Sequence, residues 1–550
     1  MDYGYDLGSY SRPVTTTSKQ AQLWFDRGLL WTYGYNHEEA LRCFTNATEH
    51  DPDCAMAWWG LAYAAGPNYN KQWSAFDADD LKTSLDVACT ATSRAMALLH
   101  KAGSVEQELI KPLQKRYPVN APADVTPVWN DDYAAAMRIA YQAHSSDLDV
   151  AALFAEAIMN RTPWTLWDIK KGVASDGADT MEAIAVLERA MTQPGGMEHA
   201  GVLHMYTHLM EMSPHPERAL KAADALRALV PDAGHLVHMP THIDVLCGQY
   251  RDVIEWNQRA NIADEKYLTR QGALNFYTLY RCHNLHFIIY GAMFSGQYAP
   301  AIAAAQRMEA TIPEDLLRVK SPPMADFLEA FVPMKMHVYI RFGKWQEIIA
   351  APLPHDQTLY CVSTAVTHYA KAIAYSAMFN TGMAEKEAAQ FEAARARIPE
   401  SRSLFNNAAL DILAVAAEMM RGEIEYRKFN HDKAFAHLRK SVEMYDNMCY
   451  DEPWGFMQPT RHALAALLME QKQYVEAEAI YRADLGFDNS LSRSCQHPDN
   501  VWSLHGLHEC LMRRSAFDEA HIIKQKLDVM LARADVKISA SCFCRTEAMN

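Results

Sequence analysis

The chain has 550 residues, 49% of them hydrophobic and 22% charged, with a formal net charge of −15; that is the composition of an ordinary folded protein, and it shows no basic stripe of the kind nucleic acid or an anionic membrane surface requires. No apolar run reaches the roughly 18 residues of a spanning helix, and the opening MDYGYDLGSYSRPVTTTS has no basic stretch followed by an apolar one, so no secretory signal is read. Eleven cysteines, none in a CxxC pair, fit free thiols in a reducing, cytoplasmic setting better than a disulfide framework.

Residues 1–18 read as an N-terminal extension, and a repeat begins at residue 19. With Trp24 at position 4 of a 34-residue unit, Gly28, Trp31, Ala40, Phe44, Ala47 and Pro52 fall at positions 8, 11, 20, 24, 27 and 32, and Trp58 repeats Trp24 one unit later. This resembles the tetratricopeptide pattern at nearly every site. Small residues at 8, 20 and 27 let two antiparallel helices approach, large ones at 4, 11 and 24 fill the space between them, and proline ends the second helix. The predicted fold is therefore all-α, a tetratricopeptide-like right-handed solenoid over residues 19–538, interrupted by irregular inserts.

The first inserts are residues 66–80, with Tyr69, Asn70, Lys71 and Trp73, and residues 161–179, with Trp164, Trp167 and Asp168. Such aromatics either fill interfaces between repeats or stack on an organic ligand. The histidine-rich repeats follow, over about 197–340. His204 and His208 take positions 5 and 9 of a first helix, and His238 and His242 repeat them 34 residues later in LHMYTH and VHMPTH. His286 holds position 5 and Tyr290 position 9 of the next unit, His235 and His283 hold position 2, His337 holds position 9 further on, and Glu211 holds position 12. Residues four apart share a helix face, and this spacing is the one used by helix-borne metal sites. His204, His208, His238 and His242 are the first-choice ligands and His286 the fifth. Glu211, His235 and His283 are ligands or orienters of ligands, and Glu211 doubles as a candidate acid/base. Chance i, i+4 pairs among 23 histidines, or simple duplication of a repeat, form the competing explanation.

Beyond this, residues 265–281 lengthen one unit, Gly248, Gly296 and Gly343 mark position 15 of successive units, and weaker copies centre on Ala434, Ala477 and Ala520. Residues 450–460 and 486–500 read as loops, and residues 539–550 as a flexible tail. Tyr290, His337, Trp454 and Arg461 are placed as lining of a substrate groove. The 28 methionines read as core filler. No P-loop, GxGxxG turn or GxSxG elbow is present, which removes support for nucleotide-dependent and serine-hydrolase chemistry.

The segments WFDRGLLWTYGYNHEEALRCFTNA, LHMYTHLMEMSPHPERALKAADALRALVPDAGHLVHMPTHI and YRCHNLHF resemble a microbial and fungal family of tetratricopeptide proteins over nearly the whole chain. That resemblance implies the solenoid fold, implies that positions 2, 5, 9 and 12 line its concave groove, and marks His204, His208, Glu211, His235, His238, His242, His283 and His286 as hallmark positions, without supplying a reaction. The chain departs from the pattern at Leu246–Tyr250, where relatives carry arginine.

The functional expectation is a metal-dependent enzyme, with non-haem Fe or Cu favoured and Zn possible, acting on a small organic molecule in the groove. A non-enzymatic scaffold for a peptide or protein partner is the first alternative, and a Zn-dependent hydrolase the second.

Overall fold

The computed structural model describes residues 3–121 and 127–546. Its architecture is all-α, built from antiparallel helix pairs in the tetratricopeptide manner. The only strands among the described residues are two short hairpins, Trp167–Asp168 with Val173–Ala174 and Ser403–Leu404 with Asn407–Ala408. The first lies inside the 161–179 insert.

Helices Lys19–Tyr33 and His37–His50 show how the repeat closes. The Phe44 ring fits between Gly28 on one helix and Gly60 on helix Ala55–Ala65; a Cβ at either glycine would come within 2.7 and 2.3 Å of that ring. Between the helices, Tyr35 takes a left-handed φ of 54°, and the Asn36 side chain then accepts from Glu39 N to cap the next helix. This left-handed residue at position 15 is the most regular feature of the repeat. Gly296, Gly343, Phe379, Phe429, Lys472 and Ser515 all adopt it just before the second helix of their pairs. Glycine takes that conformation without strain, whereas Phe379 and Phe429 take it at a cost.

The chain divides into two compact units. Unit 1 is Met1–Ile243 with Arg259–Gly272, and unit 2 is Asp244–Gln258 with Ala273–Asn550. In unit 1 the N-terminal extension is packed. Tyr10 donates to Asp149 at 2.6 Å, Arg12 pairs with Asp147 and Asp149, and the Asp6 backbone N–H donates to Asp232. In unit 2 the predicted tail is tied down through residue 545. Tyr481 and Ser541 share a hydrogen bond of 2.6 Å, Arg341 donates to the Ser541 carbonyl, and Phe543 packs edge-on against Trp502. The expectation of a flexible segment from 539 is corrected to that extent, because apolar and hydroxyl side chains in this stretch found buried partners; its last residues, 547–550, lie outside the described ones. The 265–281 insert is mostly helix continued, since Tyr250–Gln271 runs seven residues into it before a short turn leads to Thr278–Phe294.

Candidate metal centre

Helix Ala200–Glu211 carries His204, His208 and Glu211, one above the other on one face. Its N-terminus is fixed by His199, which accepts from Val202 N through Nδ1 and meets Asp149 and Tyr10 through Nε2. The second histidine segment is one helix by sequence pattern but two in the structure, Gly234–His238 and Pro240–Leu246, because Pro240 cannot donate into the helical ladder. The break falls between the two histidines of the second pair, and His242 N donates to Met239 O across it.

Every histidine of this cluster is buried, with His204, His208, His235 and His238 at 0% exposure and His242 at 1%. Two imidazoles have their tautomer fixed by partners that can only accept. His204 Nδ1 donates to the Tyr33 carbonyl at 2.7 Å and His208 Nδ1 donates to Glu211 Oε1 at 2.8 Å. The lone pair of each therefore sits on Nε2, and neither Nε2 has a hydrogen-bond partner. One ligand atom from each of His204, His208 and His235 lies within 4.8 Å of the other two. Donors of one tetrahedral N-coordinated ion sit about 3.4 Å apart, given metal–nitrogen bonds of about 2.0–2.1 Å, so small ring rotations bring these three into range.

Glu211 serves a second imidazole with its other oxygen, accepting from His242 Nδ1 through Oε2. His242 Nε2 in turn lies 2.8 Å from His238 Nε2, so the two rings share one proton there. Burial by itself would raise the Glu211 pKa, but the imidazoles of His242 and His208 hold it below the usual carboxylate range. Burial pushes His204 and His208 the other way, keeping both neutral. At His204 and His208 the centre thus sets two neutral imidazoles, each with an Nε2 lone pair that has no hydrogen-bond partner, beside one ionised carboxylate, a combination that favours a cation.

Three aromatic residues close over the cluster. The Tyr35 ring lies 4.7 Å from His204, 5.9 Å from His208 and 5.3 Å from His235; the Tyr69 ring is 5.1 Å from His208, and Trp164 meets the same imidazole edge-on at 5.8 Å. Trp164 N donates to the Tyr69 hydroxyl, joining the two inserts that carry them. The expected open groove is therefore a closed pocket of imidazoles, because residues 66–80 and 161–179 fold back over it.

The other sequence-selected residues belong to unit 2. His286, expected as a fifth ligand, packs edge-on against Phe331 at 5.4 Å, with its Nε2 2.7 Å from Met457 Sδ. Its place in register reflects the repeat and not membership of the unit 1 cluster. His283 packs against Phe287 and Phe405. The four residues expected to line a substrate groove are interior instead. His337 lies against Phe456, Trp454 donates to the Tyr445 carbonyl at 3.0 Å, Arg461 pairs with Asp446, and Tyr290 meets His497 at 3.3 Å. All four are at most 5% exposed, so they line no open surface. Tyr33 and Tyr35, which support the cluster from the first helix pair, carry no sequence signal that separates them from ordinary repeat aromatics.

No family model matches this sequence, and no curated protein matches it. Among solved structures, the chain is similar to one titled "Crystal structure of APC/C hetero-tetramer Cut9-Hcn1", at 10% identity, 96% coverage of each chain and a TM-score of 0.28. It is also similar to one titled "Structure of Naa15/Naa10 bound to HypK-THB", at 12% identity, 93% coverage of this chain, 76% of the other and a TM-score of 0.22. At those scores neither likeness carries an argument about function, and the tetratricopeptide-like character of the chain rests on its own helix pairs and position-15 turns.

Proposed function

We propose that unit 1 holds a metal ion on His204, His208 and His235, and that the protein is a metal-dependent enzyme acting on a small organic molecule. The observation that carries this reading is the pair of buried, unpartnered Nε2 atoms on His204 and His208, each with its opposite nitrogen tied to an acceptor. A buried polar atom without a partner costs about 1–3 kcal/mol, and a shared cation removes that cost at both atoms.

Glu211 is the positioning residue of this centre, since both of its oxygens are occupied by imidazole N–H groups. That use takes the nearest carboxylate out of the donor set. An all-imidazole set suits Cu or Zn, whereas the common non-haem Fe arrangement uses two histidines and a ligating carboxylate, so the donor chemistry moves the preference from Fe toward Cu or Zn. Such an ion supplies Lewis acidity, an activated water or, for Cu, electron transfer. The chain's own residues exclude bulk water from the centre with Tyr35, Tyr69 and Trp164, hold the tautomers of His204 and His208, and keep an anionic carboxylate one bond away from His208.

Elemental analysis of untagged protein tests this. With the Cys542–Cys544 disulfide intact, one equivalent of Cu or Zn is expected, lost when His204→Gln and His208→Gln are combined; a wild-type preparation without any stoichiometric transition metal sinks the proposal. The peptide-scaffold alternative needs these histidines at a surface. At 0–1% exposure they reach no peptide, so a partner whose binding survives the double variant would have to use another face.

A further inference from the structure

Unit 2 carries a second donor set of different chemistry. Glu423 lies in helix Ala409–Arg427 at 2% exposure, and neither of its carboxylate oxygens has a hydrogen-bond partner. Burial pushes its pKa up to about 7. The nearby cation, Arg427, donates instead to the backbone carbonyl of Cys544. What Glu423 faces is the C-terminal segment: one of its oxygens and the sulfurs of Cys542 and Cys544 lie within 4.8 Å of one another. The two sulfurs are joined as a disulfide. In that state they offer the carboxylate neither a proton nor a positive charge, and the Arg427 charge offsets its burial only in part.

We propose that the reduced pair Cys542 and Cys544, together with Glu423, forms a zinc site. Two equivalents of a small thiol reductant supply the two electrons and two protons that open the S–S bond, leaving two protein thiols and one oxidised reductant disulfide. Zinc then replaces both thiol protons and the proton of any Glu423 carboxyl still protonated, and all of them leave to solvent. Two thiolates select a soft or borderline ion and a carboxylate oxygen disfavours a purely soft one, which together point to Zn. With zinc–sulfur bonds of about 2.3 Å in a tetrahedron the sulfurs part to about 3.8 Å, a movement open to a terminal segment in which Cys542 is half-buried. Three ligand charges against a divalent ion and the Arg427 guanidinium come close to neutral, as a buried site requires. The site would pin the packed residues 540–544 to helix Ala409–Arg427 and shares no ligand with the imidazole centre of unit 1.

The test uses the full-length protein, reduced with a phosphine under anaerobic conditions, stripped of metal and titrated with Co(II). A near-ultraviolet thiolate-to-cobalt charge-transfer band is expected, lost in Cys542→Ser and retained when His204→Gln and His208→Gln are combined. Competition with a chromogenic chelator should show zinc bound about 10–100-fold more weakly by Glu423→Gln, with the thiolates still in place. A reduced wild-type protein without the band, a band unchanged in Cys542→Ser, or zinc affinity unchanged in Glu423→Gln would each overturn the assignment, as would a disulfide that resists the phosphine in the folded protein.

Discussion

Each unit buries a cluster of histidines around one carboxylate, and the two clusters answer differently to the question of where the ring nitrogens go. In unit 2, Asp484 accepts from His462, His497, Asn500 and Ser503 at 2.6–2.9 Å. The remaining nitrogens are partnered as well, His462 Nδ1 with Arg341 at 3.2 Å and His497 Nε2 with Tyr290 at 3.3 Å. In unit 1, Glu211 orients two imidazoles, and the far nitrogen of His208, like that of His204, has no hydrogen-bond partner. A closed network is a structural device, worth keeping for the packing it specifies. An open one with fixed tautomers leaves lone pairs of the kind the proposed ion would take up. Histidine content alone does not separate the two; the accounting of donors and acceptors does.

The sharpest way to break this comparison is to remove metal capacity from one cluster and stability from the other. In protein with the Cys542–Cys544 disulfide intact, combining His204→Gln with His208→Gln should abolish stoichiometric metal by elemental analysis and leave the helical circular dichroism intact. Asp484→Ala should do the reverse, lowering the thermal unfolding midpoint through a loss of about 3–5 kcal/mol, the usual result of deleting one partner of a buried charged network, with the metal content of the unit 1 centre unchanged.

Acid titration sharpens the contrast from the unit 2 side. Burial lowers both His337 and His462 to about 4, against an unfolded value near 6.5. Between those values the unfolded chain binds protons that the folded chain refuses. The stability held by neutral imidazoles is therefore complete above about pH 6.5 and falls progressively toward pH 4, by up to roughly 3 kcal/mol per group. Melting temperature measured across this range should drop steeply, and a flat profile would contradict burial of neutral rings. A smaller effect is expected from Glu211→Gln, whose amide cannot accept from both imidazoles at once without presenting a donor to one. Metal affinity should fall about 10–100-fold with little change in melting temperature. The smallest concerns the repeat itself. Phe429 is 78% exposed with a φ of 63°, and Phe429→Gly should raise stability by no more than about 1 kcal/mol, since relief of strain is partly offset by a more flexible unfolded chain.

The helix pairs were legible in the sequence because spacing of small and large residues is a local, repeated signal, as Gly28, Phe44 and Trp58 show. The same register located His204, His208, His238 and His242, and these four do share one buried cluster. Register failed where a position number was taken as a place in space: His286 occupies position 5 but belongs to unit 2. It was also silent on the proline break at Pro240, on the closure of the cluster by Tyr69 and Trp164, and on the double role of Glu211, all of which depend on contacts across insert loops or between helices. The position-15 turns were visible only where the residue is glycine. At Phe379, Phe429, Lys472 and Ser515 the left-handed backbone is imposed by the helices on either side.

The bond from His204 to the Tyr33 carbonyl spans 171 residues of sequence. On a ribosome the first helix pair is complete long before His204 is made, and His235, the last of the three proposed ligands, follows within a few tens of residues. An ion held as proposed at the imidazole centre of unit 1 would thus be loaded while most of unit 2 is still unsynthesised, and from that moment it would tie the earliest part of the nascent chain to the newest.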